Sequence, residues 1–190
     1  MTEHAGFALT SYQEEFNQAT KLTPERVVDL KALASLILEC HKKEGTVYFV
    51  GNGGSAAVAA HMGNDFINCL NVRSMAFTDS SVITCLANDH GYENWVFHAV
   101  KRYMKSNDLL VAISSSGNSG NIIRGVQEAN RLGAETVTLT GFQPDNELRK
   151  LGKLNFWVDS AIYNIVETTH QHILSLVIHY LHSFSDKGLK

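Results

Sequence analysis

Two short turns carry residue types that bind oxyanions. The first, Gly51-Asn52-Gly53-Gly54-Ser55, follows an apolar run and precedes a helical stretch. Its glycines permit positive φ and let backbone amides come close to a ligand. The helix behind it offers unpaired N–H groups and the positive end of its dipole, which suit a phosphate or carboxylate. The turn is neither G-x-G-x-x-G nor the Walker pattern, which argues against a dinucleotide or a nucleoside triphosphate. The second turn, Ser114-Ser115-Ser116-Gly117-Asn118-Ser119, supplies four hydroxyls and a glycine without any Lys or Arg. Hydroxyls and amides make a neutral cradle for reversible capture of a phosphate monoester. One serine is enough to cap a helix, so four favour a ligand.

The elements that must hold these turns follow from periodicity. Thr23-Pro24-Glu25 reads as an N-cap, a first-turn proline and a first-turn acid. Val27, Leu30, Leu33, Ala34, Ile37 and Cys40 then recur at helical spacing up to Gly45, as a stripe for the core or a subunit interface. A weaker helix is expected over 9–20. Short apolar runs at 47–50, 75–77, 109–113, 137–139 and 156–158 predict strands, separated by helices at 56–68, 81–88, 93–104 and 122–132. A closing helix is expected over 165–184. Continuous apolar strands alternating with helices specify an α/β fold with a parallel sheet covered on both faces. In such sheets ligands sit beyond the carboxyl ends of the strands, where both turns fall.

The 190 residues suit one domain, 1–190, with 1–44 as an N-terminal helical extension packing in an oligomer. Apolar residues make up 44% and charged residues 18%. This balance argues against disorder and for extra surface buried between subunits. Sixteen Lys+Arg against 19 Asp+Glu leave a net charge of −3, which gives nucleic acid no basic field. Cys40, Cys69 and Cys85 lack C-x-x-C spacing and are read as reduced core residues. With no signal-peptide pattern at the N-terminus and no run long enough to span a bilayer, the expectation is a cytoplasmic protein with no membrane partner.

The order of residues 51–55, Asn88-Asp89 and residues 114–119 resembles the sugar isomerase (SIS) domains. Within them it is similar to the phosphoheptose isomerases, which convert sedoheptulose 7-phosphate to D-glycero-D-manno-heptose 7-phosphate. The resemblance runs from about Pro24 to Tyr180 and includes Thr140-Gly141. It implies a flavodoxin-like parallel sheet and a homotetramer with active sites between subunits. It also implies a phosphate loop of Ser114, Ser115, Ser116 and Ser119, with substrate contacts from Asn52, Gly53, Gly54, Ser55, Asn88 and Asp89. His61 matches a zinc ligand.

The match departs from the family at the metal. The family's Glu four residues after that His, both ligand and base, is Asp65 here, about 1.5 Å shorter in reach. Misplacement on that scale costs on the order of a hundredfold in rate. Glu167-Thr168-Thr169-His170 aligns with the family's Gln-Glu-x-His, and the family's last ligand His falls on Ser175. His179, a turn beyond, is a weaker substitute. The resemblance thus implies zinc on His61, Asp65, Glu167 and His170, with catalysis by Asp65 and Glu167 and a further substrate contact from Glu167. Two alternatives stand beside this isomerase. One is a non-catalytic sugar-phosphate-binding SIS protein with a protein partner such as the replication initiator; the other is an isomerase or epimerase of another phosphosugar.

Overall fold

β1 and β3, the strands Val47–Gly51 and Leu109–Ser114, have no polar alternation and must be covered on both sides, and the chain folds accordingly. The computed structural model describes residues 2–185. Its strands are β1 (Val47–Gly51), β2 (Ser74–Ala76), β3 (Leu109–Ser114), β4 (Glu135–Thr140) and β5 (Leu154–Trp157), all parallel in the order β2-β1-β3-β4-β5. This is the flavodoxin-like winding, whose switch in direction lies between β1 and β3. The helices are α1 (Thr2–Thr20), α2 (Pro24–Lys42), α3 (Gly54–Leu70), α4 (Ser80–His90), α5 (Trp95–Tyr103), α6 (Gly120–Leu132) and α7 (Tyr163–Ser185).

Alternate strand residues feed two cores. Val47, Phe49, Leu109, Val111, Ile113, Val137 and Leu139 meet α2, α3 and α7 on one face. Tyr48, Val50, Leu110 and Ala112 meet α4, α5 and α6 on the other. The α2 stripe belongs to the first core: Leu30, Leu33, Ala34, Ile37 and Cys40 are buried within the chain itself. Thr23 caps α2 by accepting from the Arg26 N–H at 3.2 Å, and Asp79 caps α4 through the N–H groups of Ser81 and Val82.

Two expectations need correction. The single helix over 93–104 is instead a 3₁₀ turn, Tyr92–Asn94, followed by α5. Gly91 has φ +83°, and the Asn94 side chain donates back to the His90 carbonyl at 2.8 Å, so the chain closes α4 before α5 begins. The cysteines are not all core residues. Cys40 is buried, but Cys69 and Cys85 are exposed, on the outward faces of α3 and α4. No helix among the described residues is long and apolar enough to cross a membrane.

Candidate active site

β1 and β3 are neighbours in register, with Gly51 paired to Ile113, so the turns after them open side by side at the carboxyl edge of the sheet. Between them lies a cavity of about 290 Å³ lined by Asn52, Gly53, Gly54, Ser55, Ile113, Ser114, Ser115, Ser116, Ser119, Tyr163 and Glu167. The glycine turn needs its glycines. Gly53 has φ +53° and, as the N-cap of α3, offers no side chain of its own to the first helical turn.

The serine turn is held from below. Gly117 at φ +65° donates its N–H to the Ser114 carbonyl, and its own carbonyl accepts from Leu148 N–H at 2.9 Å. The Ser114 hydroxyl donates to Ser119 Oγ at 3.1 Å, and Asn118 N–H donates to Ser116 Oγ at 3.3 Å. Ser119 occupies the N-cap of α6 yet makes no capping bond. Ser115 is 5% exposed, and its Oγ has no hydrogen-bond partner among the described residues. A buried hydroxyl without a partner costs roughly 1–3 kcal/mol.

The opposite wall comes from the start of α7. Tyr163 and Glu167 are four residues apart on one helix face and both reach the cavity. Tyr163 packs edge-on against Phe142 at 4.8 Å between ring centroids. The Glu167 carboxylate lies against the glycine turn and accepts the Ser55 backbone N–H. Burial raises its pKa, and the Ser55 N–H only partly offsets this. A carboxylate tuned upward in a cleft is suited to proton transfer.

The expected metal ligands do not converge within this chain. His61 and Asp65 form a pair on α3, Nε2 to Oδ2 3.3 Å, outside the residues that line the cavity. His170 is fully buried, and its Nε2 donates to the Thr140 carbonyl at 3.1 Å. No group of three or more His, Cys, Asp or Glu among the described residues is placed to hold a metal ion. The four donors therefore do not fit a tetrahedral zinc site in one chain. Ser175 and His179 face outward on α7. Asn88 and Asp89 sit exposed on the last turn of α4, bonded to each other at 3.1 Å, and do not line the cavity.

Three residues not singled out from sequence bear on the site: Tyr163 in the cavity wall, and Tyr92 and Asn121 through hydrogen bonds to Asn52. Tyr163 heads the closing helix one turn before Glu167, a spacing that could have flagged it. Asn121 could have been found as a polar residue in the first turn of the helix behind the serines. Tyr92, in the 3₁₀ turn, has no sequence signal.

Comparison with known proteins gives the family of the fold. A model of the SIS domain matches residues 11–141, more than half of the chain. The chain belongs to the SIS domain family. Relatives of the chain include phosphoheptose isomerases. One from Akkermansia muciniphila is 32% identical over 155 residues, covering 78% of this chain and 82% of its own. Another, from Leptospira biflexa, is 27% identical over 187 residues, covering 93% and 95%. The solved structure of phosphoheptose isomerase GmhA from Neisseria gonorrhoeae matches with a TM-score of 0.84 at 26% identity, over 95% of this chain and 98% of that one.

Proposed function

We propose that this SIS domain protein is an aldose–ketose isomerase acting on sedoheptulose 7-phosphate to give D-glycero-D-manno-heptose 7-phosphate, for surface polysaccharide synthesis. One observation carries the reading. A turn that brings four serines to one wall faces, across a single cavity, a carboxylate whose pKa is raised by burial.

In this reading Ser114, Ser115, Ser116, Ser119 and the first amides of α6 hold the phosphate, and Asn52, Gly53, Gly54 and Ser55 hold the sugar. Glu167 takes the proton from C1 of the open-chain ketose, and the C–H electron pair becomes the C1=C2 bond of an enediol as the C2 oxygen gains a proton. Return of a proton to C2, with loss of the O1 proton, completes the aldose. Such proton transfer is worth typically 10²–10⁴-fold.

The family resemblance implies zinc, which would supply a Lewis acid to the sugar oxygens; among the described residues, His61 and Asp65 are the two expected ligands that lie together. We infer further that the site is completed in a homotetramer. Phe7 and Leu9 on α1 are exposed apolar residues in the N-terminal extension, 1–44, that suit subunit packing. Asn88 and Asp89 on α4 would then reach a sugar in a cleft shared with another subunit.

The test is a coupled isomerase assay with sedoheptulose 7-phosphate on metal-stripped protein, with and without zinc, for the wild type and Glu167→Gln. Wild-type turnover is expected, reduced at least a hundredfold by Glu167→Gln while inorganic phosphate still binds. Turnover unchanged in Glu167→Gln would remove it as the base. The non-catalytic binder with a protein partner is favoured by one observation, the failure of the metal donors to converge. It expects sedoheptulose 7-phosphate to raise the Tm with no turnover under either metal condition.

A further inference from the structure

Asn121 is 4% exposed, lies in the first turn of α6 just behind the serine turn, and does not line the cavity. Its side chain is spent on a single partner. Asn52 Nδ2 donates to Asn121 Oδ1 at 3.0 Å, and Asn121 Nδ2 donates back to Asn52 Oδ1 at 2.9 Å. The same Asn52 oxygen accepts the Tyr92 hydroxyl at 3.1 Å. An amide oxygen has two lone pairs and an amide nitrogen two N–H groups. Asn52 Oδ1 is therefore saturated, and one N–H is the only hydrogen-bonding capacity its side chain has left. Asn52 lines the cavity, so that N–H is what it offers a ligand.

We propose that Asn121 and Tyr92 are positioning residues that fix Asn52 as a donor, so that it selects a sugar oxygen that accepts, such as the carbonyl oxygen that gains charge on enediol formation. The inference rests on the isomerase reading of the same cavity. It separates the labour of the two turns: the serine turn recognises phosphate, and the amide pair gives the glycine turn its polarity toward the sugar. A donor oriented in advance at an oxygen that gains charge costs no reorganisation during the reaction, and removal of such a donor typically costs 10²–10³ in kcat. Loss of its orientation alone costs less, about 10–100-fold. The pair also spans the two turns directly, from the end of β1 to the start of α6, so it sets their spacing as well.

The experiment is a double-mutant cycle on Asn52→Ala and Asn121→Ala, with Tyr92→Phe as a surface variant that keeps the fold. Each protein is measured for kcat and KM with sedoheptulose 7-phosphate, for inhibition by inorganic phosphate, and for Tm. Asn121→Ala is expected to lower kcat/KM about 10–100-fold, mostly in kcat, with phosphate inhibition within about twofold of wild type. The double variant should be no worse than Asn52→Ala alone, and Tyr92→Phe should lose about two- to fivefold. Multiplying effects of the two alanine substitutions would overturn the proposal, as would a lower Tm with unchanged kcat/KM or a parallel loss of phosphate inhibition.

If the wild type shows no turnover, the isomerase reading falls and the same variants are read by calorimetry. A preference for sedoheptulose 7-phosphate over inorganic phosphate that disappears in both Asn121→Ala and Asn52→Ala supports the positioning role. A preference kept in Asn121→Ala, or none in the wild type, overturns it.

Discussion

His170 is the buried group whose titration has the most to lose. A carbonyl only accepts, so the 3.1 Å bond to Thr140 puts the proton of the neutral ring on Nε2 and leaves Nδ1 bare. That nitrogen is buried and has no partner among the described residues. Acid must therefore add its proton where no acceptor waits. Burial pulls the pKa from 6.5 down to about 4; the Thr140 carbonyl works against the shift, and the Arg26 guanidinium adds to it. Between those values the unfolded chain binds a proton that the folded chain refuses, so stability is lost as pH falls through this window. At about 1.4 kcal/mol per unit, the loss from this side chain reaches about 3 kcal/mol by pH 4, a large share of the 5–15 kcal/mol typical of a folded domain. The assay is urea unfolding from pH 7 to pH 4 for the wild type and His170→Gln, whose amide keeps a donor for Thr140 without titrating. The wild type should lose about 3 kcal/mol more than the variant across that range. Parallel curves would refute the reasoning. If zinc shifted the wild-type curve and left the variant's unchanged, His170 would return to the metal ligands.

Two further outcomes follow from contacts in the cavity wall. A Cβ at Gly54 would stand 2.5 Å from Glu167 Cδ, so Gly54→Ala should push the carboxylate off the Ser55 N–H and lower kcat at least tenfold in the isomerase assay, with phosphate inhibition retained. Ser115→Ala removes a buried hydroxyl that no described residue pairs with, so Tm should not fall, while the inhibition constant for inorganic phosphate should weaken about tenfold. A drop in Tm with unchanged phosphate inhibition would make Ser115 a structural residue.

The fold was legible because its signals are local and redundant. Five apolar runs, the Thr23-Pro24 start of α2 and the glycine and serine turns each point to the same parallel sheet. The break between α4 and α5 is legible, but the 3₁₀ turn at Tyr92–Asn94 that moves the start of α5 to Trp95 is not, because the Asn94 side chain bonded to the His90 carbonyl outweighs the helical spacing there. Cys69 and Cys85 were misplaced because residue type gives an average preference for burial, whereas the helix face decides the individual case.

The site was legible where the backbone makes it and less so where a helix must aim a side chain. Residues three apart on a helix differ by about 60° in direction, enough to send one toward a cavity and the other into a core. Glu167 and His170 divide in that way: the carboxylate meets the glycine turn, while the imidazole is fully buried and bonded to the end of β4. The spacing that suggests two ligands on one face thus describes a carboxylate at the cavity and a histidine in the core. What remains of the metal set is the His61–Asp65 pair on α3. A zinc-dependent rate would therefore require donors from beyond this chain's own α7, whereas a rate independent of zinc would leave proton transfer to Glu167.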